Sequence, residues 1–357
     1  MPGDRARKRA LNLSTLWARP KANVGATPAD VVHTENKWKL LRYRARPEGI
    51  AFETPVLLIP SLINRHYVLD LLPGRSFTEY LVGKGHDVYT IDWGTPGPED
   101  RYLTFDDVCD GYVGRAVRHA ARSSQRNKTH VLGYCLGGTM AAIHAAARPA
   151  HVASLVALAA PIRFSEAGVL GDWTRTATFD VDALVRACGN VPWQLMEAAF
   201  SMLRPTLPLA KAVGLADRAY DDEFLNSFLA VEKWGSDNVS FPGEFYRRYI
   251  EELYRKDALV SGTFRLSGEK AQLERIVCPT MAITFEHDAI VPAPCATALL
   301  ELVGAVDKVP LHLPGGHVGA VVARGAVKSL WPKISEFFST RDAEVPSARR
   351  GKTKLGK

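Results

Sequence analysis

Apolar positions along the chain fall into short runs separated by helical stretches. Residues 38–46 (WKLLRYRAR) alternate apolar with polar, the mark of a strand with one buried face. Continuous apolar runs at 56–60 (VLLIP), 87–92 (DVYTID), 130–134 (HVLGY), 154–159 (SLVALA), 280–285 (TMAITF) and 308–313 (KVPLHL) read as buried strands. An Ala-rich helix is predicted from Gly137 to about Ala147, stopped by Pro149, and a closing helix over 324–338. Strands alternating with helices predict an α/β fold around a mostly parallel sheet.

Between about Arg163 and Gln272 the pattern changes. This stretch is helix-rich, interrupted by Pro and heavy in aromatics such as Trp173, Trp193, Phe200, Phe245 and Tyr249. It reads as an insertion folded over the carboxyl ends of the strands, where α/β folds place their sites. The expected organisation is a basic N-terminal extension (1–36), a core (37–162 and 273–340), a cap or lid insertion (163–272) and a basic disordered tail (341–357).

Composition narrows the class. With 46% hydrophobic and 23% charged residues among 357, the chain is neither disordered nor a disulfide-stapled miniprotein. The longest apolar run, 152–162, is too short to span a bilayer, and the basic start lacks the apolar region of a secretory signal. Cys109, Cys135, Cys188, Cys278 and Cys295 are irregularly spaced with no C-x-x-C pair, which suggests reduced thiols in a cytoplasmic protein and no zinc site. Of the net charge of +7, residues 1–22 carry +5 and residues 340–357 carry +4, so the body between them stands at −2. Basic ends suit an anionic surface or an acidic partner, or are simply solvated tails; no motif for nucleic-acid readout accompanies them.

The chemistry concentrates in Gly133-Tyr134-Cys135-Leu136-Gly137, the G-x-C-x-G form of a nucleophile elbow, with a strand before it and an Ala-rich helix after it. Such an elbow puts the nucleophile at a helix N-terminus, where backbone N–H groups and the helix dipole favour a thiolate. It calls for an acid and then a histidine, each after a later strand. Asp288 follows the strand at 280–285, and His317 follows that at 308–313, so Cys135, Asp288 and His317 stand in the order nucleophile, acid, base. His317 would take the thiol proton, and Asp288 would orient its imidazole or meet a substrate hydroxyl. The N–H of Leu136 is one expected oxyanion donor, and the loop 60–65 supplies a second within 62–64, with Ile63 taken as the donor. His287 is expected to pack beside the site and His312 to be structural. Neither belongs to a compact metal set, and no cofactor or metal is implied.

Several segments together resemble the polyhydroxyalkanoate synthases: 59–76 (IPSLINRHYVLDLLPGRS), 87–94 (DVYTIDWG), 133–138 (GYCLGG) and 315–319 (GGHVG). The short length, Asn64-Arg65-x-Tyr67 and Gly189-Asn190-Val191-Pro192 look most like the two-subunit class III type, with class IV close behind. The resemblance runs over about 37–340. It implies an α/β-hydrolase core with a cap, the catalytic set Cys135, Asp288 and His317, and polymerisation of (R)-3-hydroxyacyl-CoA, such as 3-hydroxybutyryl-CoA, with release of CoA. It also implies a second synthase subunit, self-association on activation, and a cytoplasmic place on the granule of growing polyester. Two positions depart from the family pattern. His66 stands where Pro is frequent, and Ile162-Arg163-Phe164 replaces an apolar-Asp-Phe segment, which bears on the substrate range and the cap.

Thiol chemistry favours transfer over hydrolysis. Passing an acyl group from the CoA thiol to Cys135 exchanges one thioester for another, so the acyl-enzyme stays activated for attack by a substrate hydroxyl. An apolar cap would keep water from that intermediate. A Cys-dependent thioesterase or polyester depolymerase would use the same triad. A non-catalytic granule-binding or partner-binding protein would need none of the three residues.

Overall fold

The computed structural model describes residues 2–19 and 22–342. Eight strands form the central sheet: β1 (Ala29–Glu35), β2 (Trp38–Tyr43), β3 (Val56–Ile59), β4 (Val88–Asp92), β5 (Thr129–Tyr134), β6 (Val152–Leu158), β7 (Thr280–Phe285) and β8 (Lys308–Leu313). Their spatial order is β1-β2-β4-β3-β5-β6-β7-β8. β2 runs antiparallel to both of its neighbours, and every other pairing in the sheet is parallel. The central strands β3, β5 and β7 are buried along their whole length. Helices cover both of their faces, which is why they read as unbroken apolar runs rather than alternating ones.

In chain order the α-helices of six or more residues are α1 (Pro2–Ser14), α2 (Phe77–Lys84), α3 (Gly114–Ala121), α4 (Leu136–Ala147), α5 (Gly168–Arg175), α6 (Val181–Cys188), α7 (Trp193–Leu203), α8 (Leu207–Arg218), α9 (Asp222–Ser236), α10 (Gly243–Arg248), α11 (Ala293–Leu302) and α12 (Trp331–Ser339). All twelve residues of α4 are buried. Its small residues let it lie against β5 and β6 at the centre of the molecule. Residues 163–272 contain α5 to α10. Phe241 and Phe245 from this stretch join the same hydrophobic cluster as β3, β5 and α4, with Phe245 stacked on Phe105 at 4.5 Å between ring centroids. The insertion is thus fused to the core rather than hinged on it.

Two expectations change, and a third falls mostly outside the described residues. Residues 1–36 are not a loose extension: 29–35 form the edge strand β1, and α1 is docked. The buried Asn12 side chain donates to the Ala219 carbonyl at 2.7 Å, and Leu16 packs with Ala219 and Leu225. The closing helix over 324–338 is broken into a turn at Ala326–Ser329 followed by α12. Pro332 explains the break, because it lacks an N–H and fits only the first turn of a helix. Of the basic tail 341–357, everything beyond Asp342 lies outside the described residues. Asp342 itself is bound to the core, accepting from the Thr54 N–H at 2.7 Å and the Thr54 hydroxyl at 2.8 Å. Among the described residues no helix is long and apolar enough to cross a membrane.

Candidate active site

Cys135 sits between β5 and α4 at φ 54° and ψ −128°, a conformation that strains a residue with a side chain. The strain is held from both sides. The Cys135 N–H donates to the Leu158 carbonyl at 2.9 Å, and its carbonyl accepts from Gly138 at 2.8 Å and Thr139 at 3.3 Å. Glycine is required around it because backbone meets backbone. A Cβ on Gly133 would lie 2.3 Å from the Gly138 Cα, and one on Gly137 would lie 2.0 Å from the Ile59 carbonyl oxygen. The elbow therefore aims the half-buried thiol of Cys135 off the N-terminus of α4. The N–H of Leu136, first residue of that helix, has no acceptor within it.

Asp288 and His317 converge from the loops after β7 and β8. His317 Nδ1 and Asp288 Oδ2 are 2.7 Å apart, both residues being buried. The other carboxylate oxygen, Oδ1, accepts from the Ile290 N–H at 2.9 Å and the Val291 N–H at 2.8 Å, so Asp288 cannot swing away. The Tyr134 ring stacks on the imidazole at 5.3 Å, and its hydroxyl donates to the His317 carbonyl at 3.2 Å. Burial by itself disfavours an imidazolium. The Cys135 sulfur on one side and the Asp288 carboxylate on the other outweigh it, pushing the His317 pKa up to about 10. The three residues that chain order grouped are thus one connected set.

Ile63 and Leu136 both line the cavity of about 360 Å³ that opens above Cys135. The loop carrying Ile63 is fastened to the insertion. The Ile63 carbonyl accepts from the Val239 N–H at 3.2 Å, Asn64 pairs with Asn238 at 2.6 Å, and the Tyr67 hydroxyl donates to Asp237 at 2.7 Å. The roof comes from α5, α6, α7 and the segment 241–254, and is almost wholly apolar or aromatic; Trp173, Met196, Phe200 and Tyr249 are representative. His287 does not pack beside the site as expected. It is exposed, while its backbone N–H donates to the Gly315 carbonyl at 2.8 Å and ties the two loops together. His312 is exposed too and pairs with Thr284 at 2.8 Å. Of the two departures noted above, His66 lies 3.4 Å from Asp92, while Arg163 binds Glu301 at 2.5 Å. Sequence reasoning missed Tyr134 as the shelf for the imidazole, although its place before the nucleophile was in view.

The strand order, the elbow and the triad geometry define a protein of the α/β-hydrolase class. Residues 54–297 match a family profile described as the alpha/beta hydrolase fold. Among solved structures, a soluble variant of monoglyceride lipase from Saccharomyces cerevisiae aligns with a TM-score of 0.54 at 12% identity, covering 91% of this chain and 100% of that one. A thermophilic esterase from Thermogutta terrifontis gives 0.53 at 16%, covering 88% and 98%. Likeness at such identities shows the fold alone. Residues 20–81 further match the N-terminal profile of poly-beta-hydroxybutyrate polymerase (PhaC). The poly(3-hydroxyalkanoate) polymerase subunit PhaC of Allochromatium vinosum is 33% identical over 342 residues, 95% of this chain and 96% of its own. That of Haloferax mediterranei is 33% identical over 340 residues, 94% of this chain and 69% of its own. The chain belongs to the PhaC polymerase family.

Proposed function

We propose that this enzyme polymerises (R)-3-hydroxyacyl-CoA, with 3-hydroxybutyryl-CoA as the first candidate, into polyhydroxyalkanoate through a thioester on Cys135. The observation that carries this reading is a thiol nucleophile, joined to a His317–Asp288 pair, beneath a largely apolar cavity. His317 takes the thiol proton at Nε2, and the Cys135 sulfur attacks the thioester carbonyl carbon. The N–H groups of Leu136 and Ile63 receive the developing oxyanion. The bond from carbon to the CoA sulfur breaks, and His317 returns the proton to the departing CoA. A 3-hydroxyl oxygen then attacks the acyl group on Cys135, its proton passes to His317, and the carbon–sulfur bond to Cys135 breaks as the ester forms. Thioester exchange keeps the acyl group activated, and the largely apolar, aromatic roof favours a hydroxyl over water as the second nucleophile by limiting water.

In this reading a second synthase subunit, self-association on activation and attachment to the polyester granule accompany the reaction. The apolar side chains exposed on α7 and α8, among them Leu195, Met202, Leu209 and Val213, support a protein or polymer contact there. The test is incubation with (R)-3-hydroxybutyryl-CoA, with and without a candidate second subunit, following free CoA and the acyl product. CoA release with insoluble polyester is expected. CoA release with only free hydroxy acid would instead make the enzyme a thioesterase, and no release in either condition would favour the scaffold reading.

A further inference from the structure

We propose that the Ser61 hydroxyl is a specificity-determining group that hydrogen-bonds the 3-hydroxyl of the acyl chain entering or held on Cys135. This rests on the polymerase reading above and adds a residue to it. Ser61 follows β3 and its loop is rigidly placed. The preceding Pro60 carbonyl accepts from Trp93 Nε1 at 3.1 Å, and the carbonyls of Ile59 and Pro60 press against the first turn of α4, where a Cβ on Gly137 would meet them at 2.0 and 2.7 Å. Ser61 therefore stands beside the nucleophile elbow, and it lines the same cavity as Cys135, Ile63 and Leu136.

Ser61 is 1% exposed, yet its Oγ has no hydrogen-bond partner among the described residues. A buried hydroxyl left unpaired carries a desolvation cost that a hydrophobic residue of similar size would avoid. Three other hydroxyls on the cavity wall are engaged. Thr174 donates to the Gly171 carbonyl at 2.9 Å, and Tyr249 and Tyr254 hydrogen-bond each other. An orphaned hydroxyl in an apolar pocket marks the place where a ligand brings its own polar atom. The thioester carbonyl is already served by backbone N–H groups at the elbow. The remaining polar atom of a 3-hydroxyacyl group is its alcohol, which Ser61 matches because each can both donate and accept.

The substrate pair (R)-3-hydroxybutyryl-CoA and butanoyl-CoA separates this role from the alternatives, since the second lacks only the 3-hydroxyl. Rapid-quench measurement of CoA release would give kcat/KM for acylation of wild type and Ser61→Ala, with matched unfolding temperatures as the control for folding. Ser61→Ala is expected to lower the 3-hydroxybutyryl value about five- to tenfold, the effect of one lost neutral hydrogen bond, and to change the butanoyl value less than about twofold. Equal losses on both substrates would assign Ser61 to the oxyanion or to packing, and no loss on either would leave it without a role; each overturns the proposal. Wild type that releases CoA from neither substrate, even with a second subunit present, would instead defeat the polymerase reading itself, and this proposal with it.

Discussion

The floor and the roof of the cavity are built in opposite ways. Beneath it, every residue of α4 is buried, and Gly133, Gly137 and Gly138 bring backbone into contact with backbone. Above it, α7 contains no fully buried residue, and Met202 near its end is about two-thirds exposed. The reacting atoms thus rest on the part of the molecule with least freedom. Within a roof otherwise anchored to the core through Phe241, Phe245 and Tyr249, α7 is the part held by least burial, and regions of low burial open at low free-energy cost. Precision at the thiol and compliance around the acyl chain are both needed for repeated transfer, and the chain assigns them to different segments.

Substitutions in the floor should be severe and those in the roof mild. The largest effect is expected from Cys135→Ala, which removes the sulfur proposed to carry the acyl group. Turnover should fall by about 10⁴-fold or more while the unfolding midpoint barely moves, as steady-state assays beside thermal melts would read. Next comes Asp288→Asn, which keeps the shape but removes the carboxylate that holds and charges His317, lowering acylation by about 10²- to 10⁴-fold. Its pH profile carries a sign. In the native enzyme the imidazolium is favoured by the fold, so its contribution to stability is complete below its ordinary value of 6.5 and is lost as pH rises through about 10. Without the Asp288 charge that alkaline limb should move to lower pH in both activity and thermal melts, and an unmoved limb would exclude the carboxylate as a cause.

Gly137→Ala should cost stability rather than chemistry alone. Its Cβ would lie 2.0 Å from the Ile59 carbonyl oxygen, so a loss of about 3 kcal/mol is expected in denaturant unfolding. Gly214→Ala on the exposed α8, outside the cavity wall, is the comparison substitution, where an added Cβ meets nothing within 4 Å. It should leave activity unchanged and stabilise by about 0.5–1 kcal/mol through helix propensity. A similar penalty at both glycines would erase the contrast between the floor and the exposed helices of the insertion.

The buried parallel strands were legible in the sequence because burial on both faces makes an unbroken apolar run. The residues of the candidate site were legible because strain at Cys135 demands glycine at fixed spacing, while Asp288 and His317 must each follow a strand. β1 escaped notice because it is an edge strand whose residues are all at least partly exposed, so it shows no clean alternation. The docking of α1 was hidden in polar residues, Lys8 and Asn12, whose partners Asp222 and Ala219 are about two hundred positions away. Pro332 broke a helix that apolar spacing alone would have continued. Ser61 could not have been singled out at all, since an unpaired hydroxyl is a property of its surroundings.

The central claim is that the acyl group is carried on Cys135. Rapid acid quench of the enzyme with (R)-3-hydroxybutyryl-CoA, followed by digestion and mass spectrometry of the peptide spanning the elbow, tests it most directly. The account predicts one or more hydroxybutyryl units on the Cys135 peptide, released by neutral hydroxylamine as a thioester would be, and none on the Cys135→Ala protein. Acyl units found on another residue, or polymer formed by Cys135→Ala, would contradict it.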